Sequence, residues 1–168
     1  MAGNQSFDIT TGCDLQEVDN AINQAMKEIR QRYDFKGLNV NIDFRRDENK
    51  LVLRAPDEFK LRAMWDVVLE KMVRRQVSLK NLQQGKPLPA AGGSVMQEVN
   101  LQQGIPIETA RAIVKFIKEL RIKKVQGEIQ GDQVRVVSPS RDDLQVIMHR
   151  IKETDFGVDL KFGNYRSI

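Results

Sequence analysis

Phe7 and Ile9 alternate with Asp8 and Thr10, which predicts a short strand over Ser6–Thr10 with one apolar face. The period then changes: Leu15, Val18, Ile22, Ala25, Met26 and Ile29 share a stripe at helical spacing. Asp14 stands before the stripe with Glu17 three residues on, a capping-box pattern, so a helix is predicted from Asp14 to about Tyr33. Val40, Ile42 and Phe44 alternate with Asn41, Asp43 and Arg45, residues 46–49 turn the chain, and Leu51 and Leu53 resume the alternation as a hairpin. Pro56-Asp57 opens a second helix with Leu61, Met64, Trp65, Val68, Leu69 and Met72 on its stripe, and Val77–Leu82 closes the unit as a strand.

Residues 84–93 lack periodicity, are rich in Pro and Gly, and read as a linker. After them the same order returns: strand 95–101, helix 106–122, strand 125–130, a Gly131-Asp132 turn, strand 133–137, helix 140–153 and strand 158–162. A shift of 91 places Ile22 on Ile113, Met26 on Ile117 and Ile29 on Leu120; a shift of 83 places Leu51 on Val134, Pro56 on Pro139 and Val68 on Ile151. Two copies of a β-α-β-β-α-β unit account for this repeat. The expected architecture is α+β, a tandem of two ferredoxin-like, ribonucleoprotein-like sandwiches with antiparallel sheets, at residues 1–83 and 94–168. Two similar units in one chain leave open which sheet the first strand joins, because terminal strands exchange readily between such units.

On this reading Phe7, Ile9, Val40, Ile42, Phe44, Leu51 and Leu53 face the helices of the first copy. The other sheet face then carries Asp8, Asn41, Asp43, Arg45 and Arg54 in the first copy, and Gln126, Glu128, Gln130, Arg135, Asp159 and Lys161 in the second. RNA-recognition modules of this fold stack bases on aromatic residues of the central strands. The corresponding strands here read KLVLRAPD and QVRVVSPS, without that platform.

Composition narrows the chemistry. The chain has 168 residues, one Cys, one His and a net charge of +4. Cys13 alone excludes an intramolecular disulfide and a multi-cysteine zinc site, and His149 alone makes a Ser-His-Asp relay improbable. No metal, cofactor or catalytic set is expected. The start of the chain has neither a basic nor an apolar leader region, and no apolar run reaches a membrane span, so a cytoplasmic protein without a membrane partner is expected. The positive excess permits an anionic partner, a nucleotide or nucleic acid first. Both halves carry +2, so the informative charge is local.

Arg111, Lys115, Lys118, Arg121, Lys123 and Lys124 against Glu119 make the densest basic run. The first three lie opposite Ile113 and Ile117 and read as a solvated helix face, while Lys123 and Lys124 sit where cations complement the helix dipole. In Tyr33-Asp34-Phe35-Lys36-Gly37 the bland reading is a helix-ending turn, and the functional one sets the Phe35 ring and Lys36 ammonium beside a base and a phosphate. Ser140 with Asp143 reads as a helix cap, and Trp65 as core.

SFDI at 6–9, DLQEVDNAINQA at 14–25, RYDFKG at 32–37, LQQGI at 101–105 and QGDQVRVVSPSRDDLQVIM at 130–148 resemble the YajQ family of small bacterial proteins. The resemblance spans essentially the whole chain. It implies tandem ribonucleoprotein-like domains, nucleotide or nucleic-acid binding, cyclic di-GMP binding and a regulatory role in some members, and no established catalysis. The expected function is therefore non-enzymatic binding of GTP, cyclic di-GMP or RNA through Arg and Lys contacts to phosphate. The candidate contacts are Phe35, Lys36, Arg45, Arg54, Lys123, Lys124, Gln130, Arg135 and Arg141. The alternative is an adaptor or oligomeric scaffold that meets a transcription-related protein without a nucleotide.

Overall fold

In the computed structural model, which describes residues 3–167, the elements run β1 (Gln5–Thr10), α1 (Leu15–Gln31), β2 (Asn41–Arg45), β3 (Lys50–Ala55), α2 (Glu58–Arg74), β4 (Leu82–Gln84) and β5 (Leu88–Pro89). They continue as β6 (Val95–Leu101), α3 (Ile107–Glu119), β7 (Gln126–Gln130), β8 (Gln133–Ser138), α4 (Arg141–Lys152) and β9 (Lys161–Ser167). The strands pair antiparallel in two sheets, ordered β7-β8-β1-β9 and β2-β3-β6-β4, with β5 also paired to β6. Each sheet has its own pair of helices and its own core, so both units are ferredoxin-like α+β sandwiches.

Local chemistry sets the helix starts. The Asp14 carboxylate accepts from the Gln16 and Glu17 amides, Asp57 from Lys60 and Ser140 from Asp143, caps worth about 1 kcal/mol each. At its far end α3 stops at Glu119, short of the expected Ile122, because Arg121 adopts a left-handed φ of 53°.

The division of the chain departs from the boundaries 1–83 and 94–168. One unit is the continuous segment Cys13–Gln102; the other joins residues up to Gly12 to those from Gln103 onward. Strand β1 lies between β8 and β9, where Phe7 and Ile9 pack with Ile113, Val134, Val136 and Leu144 rather than with Ile42, Leu51 and Leu53. Strand β6 takes the same central place between β3 and β4, and its Val99 and Leu101 complete the core of the 13–102 unit. A period of two states which side chains share a face, and it is silent on which neighbour supplies the hydrogen bonds. Because β1 and β6 are both half-apolar strands followed by helices, either pairing satisfies the pattern.

The expected linker is also structured. Gly85 donates its amide to the Glu98 carbonyl at 2.8 Å and accepts at its own carbonyl from the Gln97 side chain at 2.7 Å. Leu88 and Pro89 then pair with Met96 and Val95, and Gly92 and Gly93, at φ of 69° and 77°, turn the chain into β6. Residues 84–93 thus form a hairpin arm inside one unit. Two further strands lie later than expected: residues 79–81 coil into a 3-10 turn before β4, and the last strand runs over 161–167, with exposed Asn164, Tyr165 and Arg166 where an apolar alternation is lacking.

Candidate functional site

The open sheet face of the discontinuous unit is organised around Asp8, only 4 % exposed at the middle of β1. Arg135 lies directly opposite on β8 and donates Nε to Asp8 Oδ1 at 2.9 Å; Asn164 on β9 donates Nδ2 to Oδ2 at 2.6 Å. The Arg166 guanidinium stands 3.6 Å away. Burial pushes the Asp8 carboxyl up, but the hydrogen bonds from Arg135 and Asn164, with the charges of Arg135 and Arg166, outweigh it and hold the group below its ordinary value. Arg135 is correspondingly held above the usual arginine value, first by that hydrogen bond. At the hairpin end Gln130 is exposed and donates to Glu128 at 3.3 Å. This face is a charge-paired strut across three strands, without an aromatic platform.

The opposite side of the same unit carries a groove of about 660 Å³ between α4 and β9. Ser140 sets the start of α4, and spacings of four, three and four then bring Arg141, Gln145, Met148 and Lys152 to one face of that helix. Leu160, Lys161, Phe162, Gly163 and Tyr165 line the facing strand. The Arg141 guanidinium lies 5.6 Å from the Tyr165 ring centre, and the Lys152 ammonium lies 5.3 Å from that of Phe162. Phe162 is itself steadied against Phe7, with ring centres 5.9 Å apart. Lys161 points its ammonium toward the Gly12 carbonyl at 3.5 Å. No carboxylate lines this groove, whereas three cations do. Paired rings and cations of this kind match a ligand that has a flat π-system and negative charge.

None of the other candidates lines it. Phe35 is 3 % exposed and belongs to the core of the 13–102 unit, its ring flanked by Arg32 at 5.2 Å and Lys60 at 5.3 Å, so that ring is closed to a base. Lys36 next to it is exposed. Arg45 is engaged by Asp43 at 3.1 Å and Glu48 at 3.7 Å, while Arg54 is exposed on β3 without an ion-pair partner among the described residues. Lys123 and Lys124 are exposed in the turn beyond α3, and Arg111, Lys115 and Lys118 form its solvated face, Lys115 meeting Glu119 at 4.0 Å. Of the nine candidates, Arg141 alone lines the groove.

Gln145, Lys152, Phe162 and Tyr165 escaped sequence reasoning, which had set Lys161 on the open sheet face. A signal existed in the stripe 141, 145, 148 and 152 beside the Leu144–Ile151 stripe, but Tyr165 fell beyond the expected end of the last strand. Among the described residues no three His, Cys, Asp or Glu side chains gather as metal ligands, and no helix is long and apolar enough to cross a membrane. His149 is exposed on α4 and meets Glu153 at 2.8 Å, one helical turn on.

A family described as nucleotide-binding protein YajQ-like matches residues 5–166. A nucleotide-binding protein of Carboxydothermus hydrogenoformans is 48 % identical over 166 residues, covering 99 % of this chain and all of the relative. One from Solibacter usitatus is 47 % identical over 162 residues, covering 96 % and 97 %, and one from Bacillus cereus is 47 % identical over 166 residues, covering 99 % and 100 %.

Proposed function

The chain belongs to the YajQ-like nucleotide-binding family, and on that premise we propose that the α4–β9 groove is its nucleotide site and that binding proceeds without turnover. One observation carries the reading: two aromatic rings, each with a cation 5–6 Å from its centre, share a groove free of carboxylates. Tyr165 offers its ring to a base, a contact worth about 1–3 kcal/mol. Arg141 supplies the fork that fits phosphate oxygens, and Lys152 and Lys161 add charge on either side. Three cations favour a ligand with two or more negative charges, which GTP and cyclic di-GMP both satisfy and a nucleoside does not. Bound in this way, the nucleotide acts as a regulatory ligand.

Isothermal titration with GTP and cyclic di-GMP at physiological salt tests the assignment. Saturable heat is expected from at least one of them, with Tyr165→Ala and Arg141→Ala each weakening it by tenfold or more, about 1.4 kcal/mol. Silence with both ligands, or binding that survives both substitutions, would overturn it.

A further inference from the structure

Within the 13–102 unit, α1 and α2 enclose a trough of about 450 Å³ lined wholly by polar side chains. Gln24, Lys27, Glu28 and Gln31 reach it from α1, at spacings of three, one and three that set them on one face of the helix, clear of the buried stripe. Lys71, Arg74 and Arg75 reach it from the end of α2. Lys71 is only 7 % exposed and its ammonium meets Glu28 at 3.0 Å, while Arg74 is taken by Glu70 at 2.8 Å. The other two cations are not satisfied in this way. Arg75 Nε is buried without a hydrogen-bond partner, the Glu17 carboxylate standing 3.6 Å away, and Lys27 has no carboxylate within ion-pair distance among the described residues. The side-chain amides of Gln24 and Gln31 are likewise uncommitted among the described residues. Cations at the end of α2 complement its dipole, which accounts for Lys71 and Arg74. It accounts neither for Lys27 on the other helix nor for a buried guanidinium N–H left unmet, a state folded proteins seldom keep.

We propose that this trough binds an acidic peptide segment of a partner protein, one that carries carboxylates on alternate residues. A carboxylate is the acceptor that Lys27 and Arg75 Nε lack, and a bond between ionised groups is the strong kind. Gln24 and Gln31 each offer a donor and an acceptor, the pair that a peptide backbone answers with its own C=O and N–H. The lengths agree as well. Seven residues of α1 from Gln24 to Gln31 rise about 10 Å, the span of about three extended residues, whose alternate side chains share one face roughly 6–7 Å apart. A nucleotide is the weaker match, because no ring lines the trough to take a base. A polyphosphate would carry charge past Glu28 at every link, whereas the peptide bonds between two carboxylates are neutral. A free dicarboxylate has no N–H for the glutamine oxygens.

The test is fluorescence anisotropy of the full chain with a labelled peptide of alternating glycine and glutamate, three glutamates long, beside the same peptide with glutamine in place of glutamate. Saturable binding of the acidic peptide is expected, weakened by added salt, with the glutamine peptide at least about tenfold weaker. Lys27→Gln, at an exposed position, should weaken binding about threefold or more without moving the melting curve. Arg75→Lys keeps the charge and removes the Nε donor, so it should weaken binding by a similar factor. In nitrogen-15 spectra the Arg75 Nε–H resonance, identified by its loss in Arg75→Lys, should shift on peptide addition, which a merely structural guanidinium would not show. Arg141→Ala and nucleotide binding in Lys27→Gln should both stay normal, so the trough and the α4–β9 groove fail separately. The proposal is overturned by equal or absent binding of the two peptides, by Lys27→Gln and Arg75→Lys proteins that bind like wild type, by an Arg75 resonance that stays still at saturation, or by peptide binding that is lost in Arg141→Ala instead.

Discussion

Cutting the chain at its apparent linker and cutting it at its structural seam should give opposite outcomes. A fragment of residues 1–83 keeps α1, α2 and the β2–β3 hairpin but lacks β6, the strand that pairs with β3 over Lys50–Ala55 and with β4 over Leu82–Gln84. It also lacks Val99 and Leu101, both buried. Burial of each is worth about 1.5–3 kcal/mol, so roughly 3–6 kcal/mol is missing before the lost hydrogen-bond ladder is counted. Whole domains are stable by only about 5–15 kcal/mol, and small ones by less. In addition, Phe7 and Ile9 have no core within that fragment. Residues 1–83 are therefore expected to be unfolded, and residues 13–102 to fold cooperatively. Urea unfolding followed by circular dichroism, with amide chemical-shift dispersion, distinguishes the two. A cooperative transition for 1–83 together with a disordered 13–102 would refute the argument from strand exchange.

Three further expectations concern the discontinuous unit. Asp8→Ala should destabilise it by about 2–4 kcal/mol in chemical unfolding, because it strands the Arg135 guanidinium beside a buried gap; partial exposure of Arg135 trims the cost of a broken buried pair. Since the folded Asp8 carboxyl lies below its unfolded value near 3.8, its contribution is full above that pH and disappears as pH falls through the lower, folded value; wild type should lose more stability than Asp8→Asn on acidification below about pH 4. Gly104→Ala should cost more than about 1 kcal/mol in thermal melts, since φ is 77° there and the new methyl would press on the Asp132 carboxylate.

Elements were legible in the sequence wherever apolar periodicity was strong. The stripes of α1, α2 and α4 and their caps at Asp14, Asp57 and Ser140 stand where the pattern places them. Partnership was not legible, because Phe7-x-Ile9 and Val99-x-Leu101 make equivalent demands on a neighbour. Composition misled at residues 84–93, where Gly and Pro mark a tight hairpin and a free linker equally well. At the candidate site, charged residues were easy to list and hard to rank: Arg135 and Arg141 look alike in sequence, yet Asp8 occupies the first and the second faces an open groove. The same blindness applied to rings at 33 and 35, since exposure within a one-turn helix depends on which residue meets α2.

The placement of β1 also sets a timetable. It leaves the ribosome before every other strand of these two sheets, and its partners at Arg135 and Asn164 follow 127 and 156 residues after Asp8. Throughout that interval residues 13–102 have all they need to fold, while SFDI waits as an unpaired apolar edge, open to chaperones and proteases. When the remainder arrives, Thr11 accepts from Gly104 at 3.1 Å, so the closed inner unit acts as a clasp that brings the start of the chain beside residues more than ninety positions downstream. Loss of stability in the inner unit should therefore delay maturation of the outer one, even where its own residues are untouched.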